Sequence, residues 1–160
     1  MPIKSFRGKL KSLNPAAGYT AADITKVALS TNNGAIGYRI VKFMLMAPDA
    51  SENIEGVVKI YKIPQTEIDG NIDFSDNTLL GAGLISQSST DQTNPNDQEI
   101  YFDNEIFNQD IYIYNKGADY DADVNYYIEL EQVKLDLNEN TVATLKDIRN
   151  IKSQWVNNIT

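Results

Sequence analysis

Apolar and polar residues alternate with a period of two along much of this chain, the pattern of β-strands with one face in a core. Ile24 to Leu29 alternates loosely, and Thr31-Asn32-Asn33-Gly34 behind it is a turn signal. Ile36 to Met46 is the strongest early strand. Arg39, Val41, Phe43 and Leu45 fall on one face, with Tyr38, Ile40, Lys42, Met44 and Met46 on the other. Both faces are largely apolar, which predicts a central strand covered on each side. Pro48 ends it, and the polar loop Asp49 to Glu55 leads to a second strand, Val57 to Ile63, stopped by Pro64. Asp69-Gly70-Asn71 is a tight turn. Beyond it Ile72 to Phe74 reads as a short strand, Ser75 or Asp76 as the cap of one helical turn, and Leu79 to Ser86 as a strand loosened by Gly81 and Gly83.

Gln87 to Gln98 has no large apolar residue and predicts a surface loop. Glu99 to Phe102 and Asp110 to Tyr114 follow as strands, and Lys116-Gly117 marks a turn. The longest strand, Val124 to Leu137, sets Val124, Tyr126, Ile128 and Leu130 against an outer side carrying Glu129 and Glu131. Val133, Leu135 and Leu137 reverse that preference, so a bulge or a change of partner is expected there. The tail switches period. Asn138 is a suitable N-cap, and Val142, Leu145, Ile148, Ile151 and Trp155 repeat at helical spacing as one narrow apolar stripe. Such a helix has to dock on its own sheets or on a neighbouring chain.

Together these elements predict a mainly β chain: an antiparallel β-sandwich of jelly-roll type with an extended N-terminal arm and a C-terminal helix. The expected divisions are an arm over 1–22, the sandwich over 23–137, and the helix and tail over 138–160. No internal repeat or linker divides the 160 residues further.

Charge sharpens the first of those divisions. The net charge is −8, yet the residues from Met1 to Lys42 hold seven basic side chains and one acid, a balance of +6. The remaining residues hold 7 basic and 21 acidic side chains, or −14. The leading MPIKSFRGKLKS reads as an arm that seeks an acidic surface, with a solvated terminus as the plain alternative. An acidic body argues against duplex binding, and no apolar run approaches membrane-spanning length.

Candidate chemistry is thin. The chain has no His and no Cys, which removes His-assisted nucleophiles, thiol chemistry, disulfides and the common zinc sites. Asp119, Asp121 and Asp123 superficially resemble the start of a calcium loop, but Val124 and Leu130 stand where an EF-hand needs Gly and Glu, which leaves a non-EF calcium site or, more commonly, a solvated acidic turn. Glu129 with Glu131, or Asp103 with Glu105, could pair as carboxylates, although strands place such acids toward solvent routinely. Tyr112, Tyr114, Tyr126 and Tyr127 could stack on sugars or pack across strands, and the second is the commoner role. Gly81-Ala82-Gly83 lacks the Lys and the spacing of a phosphate loop. The expectation is a non-enzymatic protein without cofactor or metal.

FDNEIFNQDIY, NYYIELE and LDLNENTVATLKDIRN, preceded by YRIVKFMLM, VKIYKI and DFSDNTLLGAGLIS, carry a resemblance over roughly residues 35 to 151. In these strands the chain resembles a family of virion structural proteins of tailed phages from marine bacteria. The resemblance implies a jelly-roll-like sandwich that decorates or cements a capsid. It implies the major capsid protein as partner, a homo-oligomer (a trimer by analogy of role), and a place on the capsid surface after assembly in the host cytoplasm. It transfers no catalytic residue. Neither a membrane nor a specific nucleic acid is expected as a partner.

Contacts with the shell or with other subunits are expected from Lys4, Phe6, Arg7, Lys9 and Lys11 of the arm, and from Leu145, Ile148, Arg149, Ile151 and Trp155 of the helix. Removing Met1 to Ser12 is then expected to leave a folded protein that no longer binds shells. The rival expectation is a glycan- or receptor-binding module of a tail fibre or baseplate, using tyrosines and the Gln87–Gln98 loop.

Overall fold

The computed structural model describes residues 2–13, 24–88, 97–117 and 122–136. Among them the chain is β throughout: β1 (Ile3–Leu10), β2 (Thr25–Val27), β3 (Ile36–Met46), β4 (Ile54–Tyr61), β5 (Leu79–Gln87), β6 (Asp97–Phe102), β7 (Ile111–Gly117) and β8 (Val124–Lys134). Two antiparallel sheets result, one in the order β1-β8-β3 and one in the order β2-β7-β4-β5-β6. The expected C-terminal helix, with Leu145, Ile148, Arg149, Ile151 and Trp155, lies outside the described residues.

The inward faces of both sheets meet in one core, a sandwich-like arrangement. Tyr38, Ile40, Phe43 and Leu45 of β3 and Val124, Ile128 and Leu130 of β8 pack with Val58 and Ile60 of β4, Leu80 and Ile85 of β5, and Ile111 and Ile113 of β7. Burying side chains of this size is worth about 1.5–3 kcal/mol each. That is the main stabilisation open to a chain without Cys.

A second, smaller cluster lies on the outer side of the larger sheet, where Leu13, Tyr61, Ile68, Leu79 and Tyr114 pack together. Residues 62–78 fold back over that side. The Lys59 ammonium is held beneath them by Asp69 Oδ1 at 3.0 Å and the Asn71 carbonyl at 2.9 Å. This segment contains no strand. Ile72 to Phe74, expected as a strand, is instead organised by side-chain caps: Asp73 accepts from the Ser75 amide and hydroxyl, and Asp76 from those of Thr78.

Two further expectations are corrected. Residues 3–10, expected as an arm outside the sandwich, are a strand paired along its whole length with β8, from Ile3 opposite Glu131 to Leu10 opposite Val124. An edge strand needs apolar residues on one side only. Phe6 and Leu10 supply them, while Lys4, Arg7 and Lys9 discourage further strand addition at that edge.

β3 is also an edge strand and is not covered on both faces: Met44 is 41% exposed and Met46 59%. Its apolar residues change sides because a bulge at Val41, between Ile40 opposite Leu130 and Lys42 opposite Glu129, flips the inward parity. Tyr38 and Ile40 face the core before the bulge, and Phe43 and Leu45 after it. The bulge expected at Val133 to Leu137 of β8 is not found at Val133: the register with β3 runs evenly from Ile40 opposite Leu130 to Ile36 opposite Lys134. The Thr31–Gly34 turn forms as expected, with Asn32, Asn33 and Gly34 at φ of 47°, 58° and 85°.

Candidate functional site

The two outward faces of the sheets carry the exposed chemistry. On the smaller sheet, β8 points Val124, Tyr126, Ile128 and Leu130 into the core, so Asn125, Tyr127, Glu129 and Glu131 face out. Register partners share a face. The outer rows are therefore Ile3–Glu131–Arg39, Ser5–Glu129–Lys42, Arg7–Tyr127–Met44 and Lys9–Asn125–Met46. Glu131 is paired with Arg39, and Glu129 accepts from the Tyr127 hydroxyl at 2.7 Å. The Lys42 ammonium lies 5.7 Å from the centre of the Tyr127 ring. Both acids have local partners, which leaves Arg7, Lys9, Met44 and Met46 as the open end of a basic, methionine-bearing face.

The larger sheet presents the opposite character. Its outward rows include Glu55–Ser86 and Val57–Leu84–Glu99 across β4, β5 and β6. They line a hollow of about 350 Å³ bounded by Glu55, Val57, Leu84, Ser86 and Glu99. Tyr101, next on the same side of β6, meets the Phe74 ring at 4.5 Å. Phe74 is 68% exposed, and a smaller hollow of about 110 Å³ runs beneath the pair between Asp76, Asp103 and Glu105.

The other expected sites resolve into structure. Lys4, Phe6, Arg7 and Lys9 stand on β1, and Lys11 just beyond it. Phe6 packs against the core instead of projecting toward a partner. Asp103 caps the Glu105 amide at 3.0 Å, and Glu105 pairs with the buried Lys62 ammonium at 2.9 Å, so this acid pair is occupied in holding loops. Tyr114 is buried, meets Tyr61 edge to face at 5.7 Å, and its oxygen accepts from the Gln65 amide at 2.7 Å. Tyr126 lies in the core against Gly8, where an added Cβ would sit 3.1 Å from the ring. Tyr112 packs on the outer cluster. Tyr112 and Tyr127 are the half-exposed ones of the four expected tyrosines, each on the outer side of its sheet.

Gly81 and Gly83 serve packing: a Cβ on Gly83 would meet Leu45 at 2.6 Å. Asp119 and Asp121 lie outside the described residues, as does most of the 87–98 loop. Among the described residues no group of three or more acids, His or Cys is placed to hold a metal. None of the described residues forms a helix long and apolar enough to cross a membrane.

Hydrogen bonding sets the titration of several loop acids. Asp69 is held below the ordinary carboxylate range, first by its bond from Lys59, Asp73 by the Ser75 hydroxyl and amide, and Asp49 by the Ser51 amide and hydroxyl. Depressed folded-state values mean stability that is present above the unfolded value and lost as pH falls through the folded one. The melting temperature is expected to fall on acidification below about pH 5. A melting temperature that stays level or rises between neutrality and about pH 3 would contradict these bonds. Burial pushes the Tyr61 and Tyr126 hydroxyls up.

No protein-family model matches the chain, and no curated protein matches it.

Proposed function

We propose that this chain is a non-enzymatic virion structural protein, a decoration or cement component bound on the outside of a tailed-phage head. The observation that carries this reading is where the family-like stretches fall. YRIVKFMLM lies in β3, VKIYKI runs through β4, FDNEIFNQDIY crosses from β6 into β7, and NYYIELE lies in β8. These four stretches thus fall on strands of both sheets and on the loop between β6 and β7, while LDLNENTVATLKDIRN lies beyond the described residues from Leu137 onward. Its partner would be the major capsid protein, and the protein would act as a homo-oligomer, with a trimer as the expected state.

The jelly-roll form is part of the same proposal. A jelly roll sends its strands alternately to two sheets, in the orders 1-8-3-6 and 2-7-4-5. Here seven strands follow that order, and β6 pairs with β5 where a jelly roll would place it beside β3. The turn after β6 nevertheless reaches β3, through the paired bonds of Phe107 and Tyr38 at 2.7 and 2.9 Å. A rigid body with two large outward faces suits a part that spans capsomer contacts under load. Such a role needs interface area and no titrating catalyst.

A glycan- or receptor-binding module of the tail is the second reading, and the exposed Phe74–Tyr101 pair favours it, since paired rings can stack on a sugar. Labelled protein mixed with separated heads and tails distinguishes the two. Co-sedimentation with heads lacking the protein is expected; co-sedimentation with tails alone would overturn the head assignment.

A further inference from the structure

The two outward faces are complementary in charge and shape of contact. One offers Arg7 and Lys9 beside Met44 and Met46, in rows where β8 contributes only Tyr127 and Asn125. The other offers Glu55 and Glu99 around an apolar floor of Val57 and Leu84, the latter 40% exposed, and continues through Tyr101 and Phe74 toward Asp76 and Asp103. Lys116, opposite Val57 on β7, donates to the Gly117 carbonyl at 2.8 Å and adds one positive charge beside that rim, which Glu55, Glu99, Asp76 and Asp103 outnumber. Exposed Met and aromatic side chains set in a mainly basic face on one sheet and a mainly acidic strip on the other mark a contact surface, since solvated apolar groups of this size are costly to leave contiguous. The flexible Met side chains can adapt to the ring edges of Phe74 and Tyr101.

We propose that a second copy of this chain covers the acidic strip, setting the Arg7, Lys9, Met44 and Met46 face of one molecule on the Glu55, Leu84, Glu99, Tyr101 and Phe74 strip of the next. The arginine and lysine meet the Glu rim, and the methionines fill the hollow beside Leu84. Because the surfaces lie on opposite sheets, the contact is head to tail: each copy keeps one face of each kind, so association continues past a dimer, into a ring where the rotation closes and an open filament where it does not. The contact belongs to the isolated chain. It is measured without phage particles, and its failure leaves the head assignment untouched.

Sedimentation velocity of the full chain provides the test. At low salt the average mass is expected to rise with protein concentration, and half-molar salt is expected to weaken association by about tenfold through screening of the rim charges. The variant Arg7→Glu with Lys9→Glu, and separately Glu55→Lys with Glu99→Lys, should each weaken self-association by about a hundredfold, because like charges then face each other. Mixing the two variants should restore it, since each still carries one intact face. A folding defect could not be rescued in that way. A chain that stays monomeric at every concentration and salt would overturn the proposal, whether its own tail or a saccharide fills the strip. Association that ignores both charge reversals would overturn it equally.

Discussion

Deletion of residues 2–12 is expected to abolish cooperative folding. The segment supplies β1, whose ladder with β8 covers one whole flank of the smaller sheet. Leu10 is 1% exposed in the main core, and Phe6 packs on the same core. Truncating a buried Leu to Ala costs about 2–5 kcal/mol by itself. The deletion adds the loss of Phe6 and the exposure of β8 backbone, against a total stability of about 5–15 kcal/mol for a domain. Asn115, buried on β7, would also lose an acceptor, because its Nδ2 donates to the Leu10 carbonyl at 3.3 Å as well as to Ala122 at 3.0 Å. Leu10→Ala alone should lower stability by about 2–5 kcal/mol. Replacing the outward Arg7 and Lys9 by Ser should change it by less than about 0.5 kcal/mol. Urea denaturation followed by circular dichroism reads all three. A deletion variant that unfolds cooperatively, near the full chain's midpoint, would show that β1 is dispensable.

Glu105→Gln is the second large effect. The Lys62 side chain is 1% exposed and Glu105 is 20% exposed, with 2.9 Å between ammonium and carboxylate. The pair joins the end of β4 to the loop between β6 and β7. Lys62 is fixed from both sides, its amide donating to the Thr78 carbonyl at 2.9 Å and its carbonyl accepting from Gln109 at 2.7 Å. It cannot swing out without disturbing that loop. Neutralising Glu105 leaves a buried ammonium without its counter-charge, which costs about 3–5 kcal/mol. Replacing both partners, Lys62→Met with Glu105→Gln, removes the stranded charge and should recover most of that loss. Chemical denaturation of the two single variants and the double variant measures the coupling. A Glu105→Gln protein within about 0.5 kcal/mol of the parent would mean that the loop simply opens to water.

Such pairs were invisible in the sequence, where Lys62 is one more residue of the Val57 to Ile63 strand and Glu105 reads as half of a solvated acid pair. What was legible were strands bounded by local punctuation. β3 ends before Pro48, β4 before Pro64, and β8 shows its inward alternation from Val124 to Leu130. β1 was hidden because an edge strand buries only Phe6 and Leu10, too few to stand out in a basic segment. The bulge at Val41 mimicked a strand buried on both sides, since a flip of parity and a doubly covered strand give the same run of apolar residues.

The candidate surface was legible only in half. The charge asymmetry pointed to Arg7 and Lys9, although their strand position was missed. The acidic, aromatic strip gathers Glu55, Leu84, Glu99, Tyr101 and Phe74 from distant segments, and no local pattern connects them. The tyrosine count drew attention to Tyr114 and Tyr126, which are packing residues. The exposed ring that matters most is a phenylalanine in a capped turn.

Where the protein sits on the particle separates a head component from a tail module. Electron cryo-microscopy of particles that contain this chain tests that directly. Two-sheet density of this size over the capsomer contacts of the head, repeated with the symmetry of the shell, is the predicted result. The same density confined to the tail or baseplate, with a bare head surface, would contradict it.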